Sequence, residues 1–238
     1  MDGLQIFKDA KAVAEAAAVR FAECAEQAVA ARGRFTVVLA GGSTPEPTYR
    51  RLAEEPLISR VPWEAVEVFW GDERCVPPDH RASNYRMARE ALLDDVPIPE
   101  GNVHRIRGEL APEAAAAAYR AVLDEAFGED VRFDLILLGM GNDGHTASLF
   151  PGSSALEIED ETVVAVRRAE QAISWRVTLT LPVLNAARAV AFLVTGVEKA
   201  PALARVRAGE TLPAARVDPV AGEVWWLVDR AAGRELTT

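Results

Sequence analysis

The chain has 238 residues, with 36 acidic against 26 basic side chains and a formal net charge of −10. Half of its residues are hydrophobic and 26% are charged, the balance of a globular protein with room for a substantial core. The negative excess argues against nucleic acid and against acidic membrane surfaces, because both are bound through Lys and Arg. A small anionic ligand would need the sign of the field reversed locally.

Cys24 and Cys75 are the two cysteines, too few and too far apart for a disulfide framework or a zinc-type spacing. Met1-Asp2-Gly3-Leu4 lacks the basic-then-apolar pattern of a secretory leader, so a reducing cytoplasm is the expected compartment. The longest apolar runs, such as Ala189–Val194, are far shorter than a membrane span needs.

Taken in chain order, residues 10–31 read as an amphipathic, Ala-rich helix with Val13, Ala17, Cys24 and Ala28 near one face. Phe35–Ala40 is a continuously apolar run, the pattern of a strand buried on both sides. Gly41-Gly42-Ser43-Thr44-Pro45 breaks it and opens a helix, with Thr44 expected at the N-cap and Pro45 at the first helical position. Val66–Gly71 predicts a second strand, followed by a polar loop from Asp72 to about Ser83. Helices are expected over Asn84–Leu93 and Pro112–Phe127, with an irregular appendage around 95–110 between them. Phe133–Gly139, Val163–Val166, Val177–Leu181, Val190–Thr195 and Val224–Val228 predict further strands. This alternation implies βαβ units in one α/β domain over 1–238, its mainly parallel sheet covered by helices on both faces. Ligands of such sheets bind beyond the carboxyl ends of the strands.

Four segments at those ends carry unusual residues. Gly41, Gly42, Ser43 and Thr44 offer backbone amides and hydroxyls suited to a phosphate, although a plain tight turn would use the same residues. Gly71-Asp72-Glu73-Arg74 supplies a guanidinium fork for an oxyanion or phosphate, with a neighbouring carboxylate expected to hold it, although a solvated loop would carry the same charges. The run from Gly139 through Gly141 and Gly144 matches G-x-G-x-x-G, but Pro151-Gly152 arrives too soon for the helix a dinucleotide site requires. More telling is Asp143 two residues before His145, a carboxylate placed to fix the tautomer of a proton-exchanging imidazole. Finally, Thr195-Gly196 leads to Lys199 in what reads as a first helical turn. A phosphate cradle, an arginine, an Asp–His pair and a lysine favour a water nucleophile over covalent catalysis, since no Ser or Cys is paired with a base.

GGSTP at 41–45, GDER at 71–74, the His-containing run at 139–153, RVTLTLPVLN at 176–185 and TGVEK at 195–199 together resemble the 6-phosphogluconolactonase family. Two local departures are Asn142, where that family often has Pro or an acidic residue, and Ile173-Ser174-Trp175, which lacks its Pro-Pro. The resemblance implies the fold shared by glucosamine-6-phosphate deaminase, ribose-5-phosphate isomerase and CoA transferases. It also implies hydrolysis of 6-phosphoglucono-1,5-lactone in the oxidative pentose phosphate pathway, with no metal or organic cofactor. On that basis His145 is the expected general base and Asp143 its orienting partner. Arg74 and Lys199 would share the phosphate and oxyanion duties, and Gly41, Gly42, Ser43, Thr44, Asp72 and Gly141 would complete the substrate site. The expected partner is a small phosphosugar lactone, and the expected assembly a monomer or weak homo-oligomer. Two rival readings are a deaminase-like isomerase and a non-catalytic sugar-phosphate sensor. The first resembles DGHIAFNEP, in which a Glu precedes the proline, whereas Phe150 precedes Pro151 here. The acidic chain and intact Asp–His pair weigh against the second.

Overall fold

The computed structural model describes residues 3–169 and 172–236. Its strands are β1 (Leu4–Phe7), β2 (Phe35–Leu39), β3 (Val66–Trp70), β4 (Asp72–Arg74), β5 (Leu135–Gly139), β6 (Val163–Arg167), β7 (Trp175–Leu179), β8 (Ala189–Val194) and β9 (Glu223–Asp229). The helices are α1 (Ala10–Arg32), α2 (Glu46–Leu52), α3 (Leu57–Arg60), α4 (Asn84–Ala88), α5 (Pro112–Phe127), α6 (Leu181–Ala186) and α7 (Ala200–Arg207). None of them is long and apolar enough to cross a membrane.

Six strands form a parallel sheet in the order β1-β9-β8-β5-β2-β3. From β2 the chain moves outward to β3, and from β5 it moves the other way through β8 to β9. The order therefore reverses between β2 and β5, the place where a parallel sheet opens a crevice at its carboxyl edge. Asp134, buried just before β5, accepts hydrogen bonds on Oδ2 from the Thr36 amide (2.9 Å) and hydroxyl (3.1 Å). Its other oxygen pairs with Arg32 (2.7 Å) and Arg188 (3.4 Å). One carboxylate thus ties β2 to β5 and to the segments leading into β2 and β8.

Helix α1 starts where Asp9 accepts from the Ala12 amide (2.8 Å) and stops at Gly33, whose φ of 77° suits a residue without Cβ. Its small buried residues, Ala14, Ala17, Ala18, Ala22 and Ala25, permit close approach to the sheet. Phe21 from this helix meets Phe35 edge-on at 5.2 Å, so α1 covers the face that carries Phe35, Val37 and Leu39. Strand alternation puts Phe69 on the opposite face, where it meets Phe127 of α5 at 5.6 Å. Helices on both faces follow, as the alternation of elements implies.

The sheet differs from expectation in two ways. Strand β1, not anticipated, adds an edge beside β9. Strands β6 and β7 leave the parallel sheet and join β4 in an antiparallel one, order β4-β7-β6. Strand β4 lies in the stretch read as polar loop. Its three charged residues are strand-forming only because β7 supplies a hydrogen-bonding edge, through the pairs Asp72↔Thr178, Glu73↔Val177 and Arg74↔Arg176. The segment expected to be irregular covers the outer edge of β3, where the His104 amide bonds the Val68 carbonyl (2.8 Å).

Asp134→Ala strands the Thr36 amide and two guanidinium groups at the seam where the strand order reverses. A loss of about 1–3 kcal/mol in urea-unfolding free energy is expected.

Candidate active site

The carboxyl ends of β2, β3, β5 and β8 surround a cleft of about 330 Å³. Sequence-expected residues Gly41, Gly42, Ser43, Thr44, Asp72, Arg74, Gly141, His145 and Lys199 all line it. Asp143 stands behind His145 as its partner.

After β2, the Tyr49 hydroxyl from α2 fastens the chain by accepting from the Ala40 amide (2.9 Å) and donating to its carbonyl (2.8 Å). Gly42 then turns at φ 93°, and a Cβ on Gly41 would fall 1.8 Å from Asn84 Oδ1. Thr44 is not the N-cap. Pro45 occupies that position in helical conformation, with no side-chain cap, and the Thr44 hydroxyl instead accepts from Thr195 across the cleft floor (3.4 Å). This contact brings the turn after β2 against the one after β8. Lys199 lies in a 3₁₀ turn, Val197–Lys199, just ahead of α7 rather than inside a helix.

After β3, the charged run divides by face, since successive strand residues point opposite ways. Glu73 turns away from the cleft and is buried. Its carboxylate accepts from the amides of Arg74 (2.7 Å), Asn84 (2.7 Å) and Tyr85 (2.8 Å) and from the Ser83 hydroxyl (2.9 Å). Burial pushes its pKa up, and these donors oppose the rise. Asp72 faces the cleft, accepting from Ser148 Oγ (2.6 Å) and Asn84 Nδ2 (3.2 Å). Neither carboxylate pairs with Arg74, contrary to expectation; Arg74 Nη1 is held by the Ala82 carbonyl (2.6 Å). The acids anchor backbone and amide groups, so the arginine is positioned without being neutralised.

Beside it stands Arg176 of β7, to which the sequence reading assigned no role. Arg74 and Arg176 are register partners in an antiparallel pair, so two like charges lie on one face of the small sheet, side by side. Burial lowers the Arg176 pKa, and the Arg74 charge lowers it further. Asn84, also missed, is buried and lines the cleft. Strand alternation could have found Arg176 had β4 been recognised. Asn84 offered no signal, since its partners lie across a loop.

After β5, the Gly141 amide bonds the His145 carbonyl (2.8 Å) and the Gly144 amide bonds the Gly141 carbonyl (3.0 Å), closing a tight loop. His145 Nδ1 meets Asp143 Oδ1 at 2.5 Å. That contact places the proton on Nδ1 and leaves Nε2 as the basic atom. Burial would raise the Asp143 pKa, but the His145 side chain and amide, with Arg168 beyond them, hold it down at about 2. The dyad carboxylate is therefore ionised at neutral pH.

A Cβ on Gly141 would lie 2.0 Å from His145 Nδ1 and 2.7 Å from Asp143 Oδ1. Gly141→Ala should drive the imidazole off its carboxylate and lower kcat about 10²-fold, with an unchanged far-ultraviolet circular dichroism spectrum as the control for folding.

The family model for glucosamine-6-phosphate isomerases/6-phosphogluconolactonase matches residues 8–226. A 6-phosphogluconolactonase from Synechocystis is 46% identical over 218 residues, covering 88% of this chain and 88% of the relative. The crystal structure of 6-phosphogluconolactonase from Thermotoga maritima superposes with a TM-score of 0.84 at 34% identity, over 95% of this chain and 98% of that one. A monomeric glucosamine-6-phosphate deaminase shares the fold at a TM-score of 0.82 and 19% identity, over 98% of this chain and 99% of that one. With the strand-end loops, the Asp–His dyad and the cleft cations in place, the chain belongs to the glucosamine-6-phosphate isomerase/6-phosphogluconolactonase family.

Proposed function

We propose that the protein hydrolyses 6-phospho-D-glucono-1,5-lactone to 6-phospho-D-gluconate, in the oxidative pentose phosphate pathway, with a water activated by His145. The observation that carries this reading is the Asp143–His145 dyad opening into a cleft lined by Arg74, Arg176 and Lys199. His145 Nε2 takes a proton from the water as its oxygen attacks the lactone carbonyl, and Asp143 stabilises the imidazolium that results. The tetrahedral intermediate carries negative charge on the former carbonyl oxygen. Its collapse breaks the ring C–O bond, the proton held on His145 passes to the departing ring oxygen to give the free hydroxyl, and the new carboxylic acid loses its own proton to solvent.

The cleft cations serve two anions, the substrate phosphate and the developing oxyanion. The Ser43 and Thr44 turn, held against the β8 loop by Thr195, lines the same cleft as Lys199 and suits the phosphate. The opposed Arg74 and Arg176 gain most from negative charge and suit either anion. Asp72 and Asn84 frame the wall between them and suit sugar hydroxyls. A deaminase-like relay is not favoured, because Phe150 stands where that relay has a carboxylate and lies 4.7 Å from the His145 ring.

Alkali titration at constant pH with freshly generated lactone tests the reading, since acid release must exceed the spontaneous rate. His145→Ala should lower kcat by about 10²–10⁴-fold while leaving KM close to the parent value. Weakened binding with an unchanged kcat would overturn the assignment. Lys199→Ala should do the opposite, raising KM about tenfold or more with a smaller effect on kcat.

A further inference from the structure

The strand after the dyad loop sends one more cation toward it. Arg168 directly follows β6, and its Nη1 donates to Asp143 Oδ2 at 3.1 Å. The other oxygen, Oδ1, takes the His145 imidazole (2.5 Å) and the His145 amide (3.1 Å). The two carboxylate oxygens are thus divided between the imidazole and the guanidinium. A second link closes the circuit: the Arg168 guanidinium lies over the Phe150 ring, 4.3 Å from its centre, and that ring lies 4.7 Å from the imidazole. Imidazole, carboxylate, guanidinium and phenyl form a closed ring of four side chains. Arg168 is not among the residues that line the cleft.

We propose that Arg168 is a positioning residue for the general base, clamping Asp143 between itself and His145 while Phe150 braces both ends of the clamp. This rests on His145 being the base. Two consequences follow from the geometry. The carboxylate cannot rotate about its Cβ–Cγ bond without losing a charged partner, so the imidazole keeps one orientation. In addition, the guanidinium offsets the carboxylate charge that would otherwise attract a proton to the imidazole. Among the described residues, the other charges of the adjoining cleft are Arg74 and Arg176 from the antiparallel sheet, Lys199 from the turn after β8, and Asp72 from β4. None of these is paired with Asp143 in the structure, so Arg168 is the cation with the direct effect among the described residues.

The test compares pH profiles of kcat for the parent, Arg168→Met, Arg168→Lys and Phe150→Leu, each checked by thermal unfolding. Arg168→Met keeps the stem that packs on Phe150 and removes the charge. Its acid limb should move up by roughly 0.5 to 1 pH unit, and kcat at the optimum should fall about tenfold, with KM little changed. Arg168→Lys should restore the limb toward its parent position without full recovery of kcat, because an ammonium keeps the charge but loses the planar fork. Phe150→Leu should lower kcat with no movement of the limb. An Arg168→Met profile superimposable on the parent, with only a lower melting temperature, would reduce Arg168 to a structural ion pair. A rise in KM with an unmoved limb would make it a substrate ligand instead; either result overturns the proposal. If His145→Ala itself retained the parent kcat, the underlying reading of the base would fail, and that outcome is separable from both.

Discussion

The position of the cleft depends on the register between β2 and β5, the strands that flank the reversal of sheet order. A parallel sheet has unlike ends, and its carboxyl ends spread where successive connections leave in opposite directions. Asp134 fixes that junction from the amino side, by holding Thr36 of β2 and the two arginines that precede β2 and β8. Loops that leave β2 and β5 are consequently juxtaposed at the far end of the strands. The Gly41–Pro45 turn and the His145 loop leave the carboxyl ends of two strands that are paired in register and tied together at their amino ends by Asp134.

The acids near the cleft follow a different logic. An ionised carboxylate is costly to bury unless its hydrogen-bonding capacity is met. Glu73 meets it with three amides and a hydroxyl rather than with a cation, and Asp72 meets it with an amide side chain and a hydroxyl. Arg74 directly follows these two acids in sequence, yet a backbone carbonyl holds it. Because strand alternation separates Glu73 from its neighbours, and Asp72 is already engaged, neither acid neutralises Arg74, which lines the cleft with Arg176. A chain with ten excess negative charges thereby presents one concave surface of opposite sign. Non-cationic partners for the acids produce that local reversal.

Much of this was legible in the one-dimensional pattern. The largely apolar runs at Phe35 and Phe133 have the pattern of strands covered on both faces, and each runs into glycines that open a turn. The spacing of Asp143 and His145 was enough to pair them, since a two-residue separation in a tight loop leaves few alternatives to contact. Residues whose function depends on distant partners were illegible. Arg168 belongs to none of the recognised motifs, and Arg176 opens the RVTLTLPVLN run without a role assigned to it. Their significance comes from pairing with β4 and from reaching Asp143, over separations in sequence that no local pattern encodes. The charged strand β4 was misread for the same reason, because three polar residues form a strand only when an edge is offered to them.

By itself, then, the sequence determined the alternating α/β layout, the glycine turns at strand ends, and the dyad, because each rests on contacts within a few residues. Only the tertiary structure decided which cations face the cleft, which carboxylates are occupied elsewhere, and that Thr44 touches Thr195 instead of capping a helix. Those outcomes depend on which side of a strand a residue falls and on what stands opposite it. Side-chain direction alternates with every residue, so a strand that is not recognised leaves the facing of all its charges undecided.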